Sequence, residues 1–288
     1  MTTSSSNMIT AKHKFKLADF ELGRKLGKGK FGRVYCVKHI QSDFICAMKV
    51  INKSEILGYH VEKQFIKEIE IQSNVSHINC LAIYGWFDDA ENIYLLVEYA
   101  AFGELYKILK SQRRLKDDVA SLYIYQISLA LIHLHDKNII HRDLKPENVL
   151  IHFNNCIKLA DFGWSTYKNN VDGKRRNTMC GTLDYLPPEM VEAKNHDNKV
   201  DIWAVGVLLY ELVVGKPPFE EEQSNLTYRR IVKVDLHIPD FVDKDAAKLI
   251  KSLLKYDPNE RITLQQVLNH RWILKNKPLW SNLKVGLS

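Results

Sequence analysis

The sequence predicts an α+β chain of two lobes, a small one built on a five-stranded antiparallel sheet with one helix, and a larger, mainly helical one. Three observations lead there. Before residue 100, short segments rich in β-branched and aromatic residues are separated by turn formers. Beyond Gly103, apolar residues recur at helical spacing over long stretches. The change of texture falls at 99–103, where a hinge is expected, with a ligand in the crevice beside it.

Each element follows in turn. Residues 20–26, 33–38 and 44–50 read as three successive strands. Val61, Phe65, Ile66 and Ile69 then repeat as one face of a helix. Two more strands, 82–87 and 93–99, are joined by the polar turn Asp88-Asp89-Ala90-Glu91-Asn92. In the second half, 117–136 is an amphipathic helix, and 199–214 is apolar on every side and so expected at the centre of its lobe. Helices are also expected at 245–255 and 264–269. The domain is placed at 20–272, with a small lobe 20–99, a hinge 98–103 and a large lobe 104–272. Residues 1–19, rich in Ser, Thr and Lys, read as a flexible tail, and 273–288 as a C-terminal extension.

Composition narrows the function classes. Of 288 residues, 45% are hydrophobic and 26% charged, which supports a packed core and excludes a disordered or collagen-like chain. No apolar run approaches the roughly 20 residues of a membrane span, so no membrane role is expected. The first ten residues lack a secretory pattern, which points to residence inside the cell. Five scattered cysteines without a C-x-x-C pair indicate reduced thiols rather than a disulfide lattice or zinc site. The net charge of +7 permits acidic partners. Without a basic stripe alternating with aromatics, no direct sequence-specific nucleic-acid binding is expected.

The motifs carry the chemistry. Leu26-Gly27-Lys28-Gly29-Lys30-Phe31-Gly32-Arg33-Val34 is a G-x-G-x-x-G-x-V run between two strands, where glycines let backbone approach phosphate. Alone it also suits a dinucleotide site or a plain glycine-rich hairpin, although the strand that follows disfavours the former. Lys49 sits in the apolar strand Ala47-Met48-Lys49-Val50 and needs an anionic partner, which Glu68 on the following helix can provide. An edge-strand lysine reaching solvent is the alternative. His141-Arg142-Asp143-Leu144-Lys145-Pro146-Glu147-Asn148 is followed by two strand-like pieces, 149–152 and 157–160, and then Asp161-Phe162-Gly163. That hairpin would return Asp161 beside Asn148, giving two oxygen ligands for Mg²⁺ and leaving Asp143 to accept a hydroxyl proton.

These residues resemble a eukaryotic protein kinase over nearly all of 20–272. The resemblance implies the bilobal kinase fold and Mg·ATP-dependent phosphoryl transfer. By it, Lys49 holds the α/β-phosphates and pairs with Glu68, Asn148 and Asp161 hold Mg²⁺, Asp143 is the catalytic base, and Lys145 screens the transferring group. Leu26, Val34 and Ala47 would roof the adenine. Val97, Glu98, Tyr99 and Ala100 would border it, with backbone contacts from Glu98 and Ala100. Glu147, beside Asn148, joins the same nucleotide-binding set. Lys145 with Thr182 is similar to the serine/threonine branch, Glu189 would pair with Arg261, and Asp201 would brace the catalytic loop. A scaffold pseudokinase is the non-enzyme alternative.

Glu104 and Glu147 would face a peptide with Arg upstream of its Ser/Thr, unless both are merely solvated. The chain holds such a peptide in Arg175-Arg176-Asn177-Thr178, and phosphorylation of Thr178 is expected to activate by drawing in Arg142, Lys67 and Arg176. The runs Asp161–Ser165, Cys180–Met190 and Gly215–Glu220 together resemble the Aurora mitotic kinases, and 272–280 looks like the single fungal Aurora, which acts as Aurora B. That likeness implies nuclear, kinetochore/centromere and spindle localisation, substrates at kinetochore and chromatin, and an inner-centromere-protein-type scaffold of the chromosomal passenger complex. Another basic-directed kinase related to cyclic-AMP-dependent kinase is the alternative.

Overall fold

A computed structural model describes residues 15–29, 32–59, 61–168 and 181–283. By packing, the chain divides into two units, Met1–Glu62 with Ile83–Tyr99, and Lys63–Ala82 with Ala100–Ser288.

The first unit is the expected sheet. Its strands are β1 (Phe20–Gly29), β2 (Gly32–His39), β3 (Ile45–Asn52), β4 (Ile83–Asp88) and β5 (Asn92–Val97), antiparallel in the order β1-β2-β3-β5-β4. Side chains alternate across a sheet, so register decides who shares a face. Val34 pairs with Lys49 and Lys49 with Leu95, while Cys36 pairs with Ala47 and Ala47 with Val97. These six therefore line one face. The other face buries Val37, Cys46, Met48, Phe87, Tyr94 and Leu96, the unit's apolar core. A short helix α1 (Lys53–Gly58), capped by Asn52 Oδ1 accepting from Ser54 N at 2.8 Å, was not foreseen from the sequence. Nor does the tail run to residue 19. Leu17–Asp19 form a 3-10 turn, and the Phe15 ring lies 5.6 Å from both Phe20 and His39. Residues 1–14 lie outside the described residues.

The second unit holds α2 (Glu62–Ser73), β6 (Gly103–Glu104), α3 (Leu105–Gln112), α4 (Asp117–Asp136), β7 (Ile139–Ile140), β8 (Val149–His152), β9 (Cys156–Leu159), β10 (Thr166–Tyr167) and α5 (Pro188–Val191). Then come α6 (Lys199–Val214), α7 (Ser224–Lys233), α8 (Lys244–Leu253), α9 (Leu264–Leu268) and α10 (Arg271–Asn276). The bounds of α4, α6 and β8 coincide with those expected from periodicity. Helix α6 is the centre of its unit: Trp203, Val205, Val207, Leu208, Leu209 and Leu212 are fully buried.

Two boundaries differ from expectation. Helix α2 and the loop after it, assigned to the small lobe by sequence, pack in the helical unit. Ile71, Val75 and Cys80 join its core, and Leu81 N donates to Leu159 O at 2.9 Å while Leu159 N donates to Asn79 O at 2.8 Å. The segment after residue 272 continues the packing rather than trailing from it. Ile273 and Asn276 are buried, and Trp280 lies 5.0 Å from the Tyr125 ring and donates its indole N–H to Ser121 Oγ at 3.0 Å. Among the described residues, no helix is long and apolar enough to cross a membrane.

Candidate active site

Of the candidate catalytic residues, Asp143, Lys145, Asn148, Asp161 and Glu68 lie in the second unit, and a short loop there is anchored from below. Asp201, fully buried in the first turn of α6, accepts from His141 N at 3.0 Å and Arg142 N at 2.8 Å, and its Oδ2 lies 2.8 Å from His135 Nε2. Burial would push this carboxyl up, but His135, His141 and the Arg142 amide outweigh it and hold its pKa below the ordinary value. The loop is thereby held with Arg142 at φ +67°, a conformation non-glycine residues rarely keep without such support.

Asp143 follows, 5% exposed. Asn148 Nδ2 donates to both its carbonyl and its Oδ2 at 2.8 Å, and Lys145 Nζ lies 3.1 Å from Oδ2. Lys145 Nζ also donates to Thr182 Oγ1 at 2.8 Å, and Thr182 Oγ1 approaches Asp143 Oδ1 at 3.5 Å. Asp143, Lys145, Asn148 and Thr182 thus form one cluster. Gly181 beside it takes φ +103°, and a Cβ there would come 3.0 Å from the Arg142 carbonyl.

The β8–β9 hairpin brings in the acid. Ala160 N donates to Asn148 O at 2.8 Å, which seats the start of the Asp161-Phe162-Gly163 turn against the catalytic loop. Asp161, itself at φ +62°, accepts from Gly163 N at 3.1 Å. Glu68 reaches the same turn: a Cβ on Gly163 would lie 3.1 Å from Asp161 Oδ1 and 3.3 Å from Glu68 Oε2. Gln64, one turn earlier on α2, fixes the approach by donating to Gly163 O at 2.7 Å.

A divalent cation suits these donors. The Asn148 nitrogen is committed to Asp143, leaving its amide oxygen, and the Asp161 carboxylate is exposed, so the available ligands are hard oxygens. Among the described residues no group of three or more His, Cys, Asp or Glu could hold a metal alone. Two protein oxygens completed by phosphate and water are the ordinary arrangement for such an ion.

Apart from Ala100 and Glu147, the other residues expected to bind the nucleotide lie on the first unit. Its register sets Gly27 against Val34, Lys28 against Arg33 and Gly29 against Gly32 in the β1–β2 hairpin, with Lys30 and Phe31 outside the described residues. A Cβ on Gly32 would stand 1.8 Å from the Val50 carbonyl, so this glycine is required by sheet packing as well as by any phosphate. Lys49, Ala47, Val34 and Val97 share the face already described. Tyr99 accepts at its hydroxyl from Arg24 at 2.9 Å. Ala100, which opens the second unit, accepts from Gly103 N at 3.3 Å.

One buried polar pair escaped the sequence reading. Tyr185 donates a very short hydrogen bond to Glu211 Oε2 on α6, and both are buried. Burial pushes the Glu211 carboxyl up to about 7, helped by the negative charges of Glu147, Glu220 and Asp184 and opposed by the Tyr185 bond. The Tyr185 hydroxyl moves far above its ordinary value for the same reason, burial first and then Glu211. The signal was present as a lone acid in the middle of an otherwise apolar run, 202–214. Nearby in sequence to Glu220, Glu221 is tied to Arg230 at 3.2 Å.

The structural frame is also intact. Arg261, 3% exposed, grips Glu189 with two 2.7 Å hydrogen bonds and lies 5.1 Å from the Trp203 ring. A sheet unit, a helical unit and a carboxylate, Asp143, flanked by Lys145, Asn148 and Thr182 are in keeping with a protein kinase, and the family model described as "Protein kinase domain" matches residues 7–273. Among curated relatives, an Aurora kinase of Eremothecium gossypii is 56% identical over 265 residues, 92% of this chain and 72% of the relative. An Aurora kinase of Saccharomyces cerevisiae is 53% identical, covering 98% of this chain and 78% of the relative. Aurora kinase A-A of Xenopus laevis is 49% identical, covering 93% and 65%. The chain therefore belongs to the Aurora family of protein serine/threonine kinases. As a member it uses ATP and a divalent metal ion.

Proposed function

We propose that the chain transfers the γ-phosphoryl of Mg·ATP to Ser/Thr in substrates carrying Arg upstream of the acceptor. The observation that carries this reading is the convergence on Asp143. Oδ2 is held by Asn148 and Lys145, while among the described residues Oδ1 takes only the long approach from Thr182, and Oδ1 is the oxygen offered to the substrate hydroxyl. Lys145 screens the charge on the transferring group, and its bond to Thr182 fixes the ammonium where that charge develops. Lys49, the hairpin 27–34 and residues 97–100 take ATP. Asn148, through its amide oxygen, and Asp161 would hold Mg²⁺, which would supply neutralisation of the phosphate oxygens.

The basic preference is supported by acids in the second unit. Burial, helped by the negative charges of Glu147, Glu220 and Asp184, raises the Glu211 carboxyl to about 7, so an arriving guanidinium would meet a cluster of acids there. Glu104, which precedes α3, is a second acid for the same peptide, although it lies 3.8 Å from the Lys107 ammonium.

Activation through Thr178 is part of the proposal. Thr178, Arg175 and Arg176 lie outside the described residues. Support comes from what awaits the phosphate: Arg142 Nε donates to Trp164 O at 2.7 Å and Lys67 Nζ to Thr166 Oγ1 at 3.0 Å, so two cations stand over the start of that segment. We further propose an inner-centromere-protein-type scaffold as activating partner, holding α2 and with it Glu68. Action at kinetochore, centromere, chromatin and spindle in the nucleus follows from the same kinship.

Mass spectrometry of the purified protein before and after Mg·ATP, with an Arg-directed peptide present, tests this reading. Phosphate is expected on Thr178 and on the peptide, and on neither with Asp143→Asn. Transfer by Asp143→Asn at the unmodified rate would overturn the assignment of the base. Equal use of a peptide with the Arg replaced by citrulline would overturn the substrate class.

A further inference from the structure

The sheet face that carries Cys46 and Leu96, opposite Lys49, opens into a cavity of about 230 Å³. It is lined by aromatic rings over a floor of Cys46 and Leu96. The rings make two walls. Phe15, Phe20 and His39 stand 5.3 to 5.6 Å apart on one side. On the other, Phe44 meets Tyr84 edge-on, at 5.2 Å and 77°. Phe44 and Tyr84 are each about half exposed, so the slot is open to solvent.

Charge and hydrogen bonding select the occupant. Glu21 and Asp43 share the single ammonium of Lys38, at 3.4 and 3.2 Å, which leaves one negative charge in excess; Lys16 and Asp19, on the turn between Phe15 and Phe20, cancel. Glu98 adds to the field: the Tyr84 hydroxyl is raised by burial and then by that carboxylate. An anion is therefore disfavoured. A primary ammonium or guanidinium would enter with N–H donors, yet the floor is a neutral thiol, pushed up to about 11 by burial, and an isobutyl group. His39 Nδ1 and Ser42 Oγ are already bonded to each other at 2.8 Å. Donors left unpaired there would be costly. A trimethylated ammonium has the charge, lacks the donors, and presents methyl groups to ring faces.

We propose that this cavity is a binding site for the trimethyllysine side chain of a protein partner, recognised between the Phe15–Phe20–His39 wall and the Phe44–Tyr84 wall. The site stands apart from the phosphotransfer residues and does not depend on the substrate preference proposed above.

Binding to the full chain is measured with a short fluorescent peptide holding one trimethyllysine among Ala, Ser and Gly. Matched peptides carry unmodified lysine or the neutral tert-butyl isostere, and free choline competes in a separate arm. The trimethyllysine peptide is expected to bind about tenfold tighter than either matched peptide, and to lose about tenfold in Phe44→Leu and in Tyr84→Leu. Both variants keep apolar bulk, and an unchanged thermal midpoint and phosphotransfer rate show that they remain folded. Equal binding of the isostere would make the cavity a plain apolar pocket and overturn the proposal. So would no saturation by millimolar peptide, unchanged affinity in both variants, or binding of choline with none of the peptide.

Discussion

Glu211→Gln isolates the consequence of burying an acid beside other acids. Carrying this carboxyl from its ordinary 4.5 to about 7 corresponds to about 3 kcal/mol of preference for the protonated form, at ~1.4 kcal/mol per tenfold. The folded pKa is the higher one, so between 4.5 and 7 the folded chain keeps a proton that the unfolded chain releases. The associated stability is complete below 4.5, falls as pH rises, and is gone above 7. A glutamine has no proton to lose and still accepts from Tyr185. At pH 5 the two proteins should melt within about 1 kcal/mol of each other; at pH 8 the variant should be the more stable by up to about 3 kcal/mol, roughly 6 °C for a chain of this size. Thermal midpoints at half-unit steps from pH 5 to 8.5 provide the assay. Parallel profiles for wild type and Glu211→Gln would refute the claim that Glu211 titrates near neutrality. In the wild type, KM for an Arg-containing peptide should also fall as pH rises through 7, with no such trend for its citrulline counterpart.

Other perturbations have equally definite outcomes. Glu189→Ala strands the Arg261 guanidinium in the interior and should cost about 3–5 kcal/mol, read as a lowered denaturation midpoint. Asp201→Asn keeps the size but replaces one acceptor oxygen of the two that hold the His141 and Arg142 amides; kcat should fall at least about tenfold while KM for ATP changes little. Gly32→Ala drives a methyl group into the Val50 carbonyl, and should lower the thermal midpoint even in the absence of nucleotide.

Periodicity made the second unit's long helices legible, because α4 and α6 are long enough for the 3.6-residue repeat to dominate local noise. The motif 141–148 stood out for a different reason: Asp143, Lys145 and Asn148 lie within six residues, in a run whose roles the resemblance to a protein kinase implies. What remained hidden depends on partners far apart in the chain. The Tyr185–Glu211 bond spans 26 residues, and the walls of the aromatic cavity come from β1, β2, β4 and the turns beside them. The allegiance of α2 was misjudged because its amphipathic pattern shows that one face is buried without saying against what. Helix α1 is six residues long, too short for any repeat to register.

The grip of Asp201 on the backbone of His141 and Arg142 ties the reactive loop to the most deeply sealed helix of the molecule. Opening that helix means dismantling the whole unit, so the loop has no independent melting of its own. Heat inactivation should then coincide with loss of the helical signal rather than precede it, and residual phosphotransfer becomes a direct gauge of how many molecules are still intact.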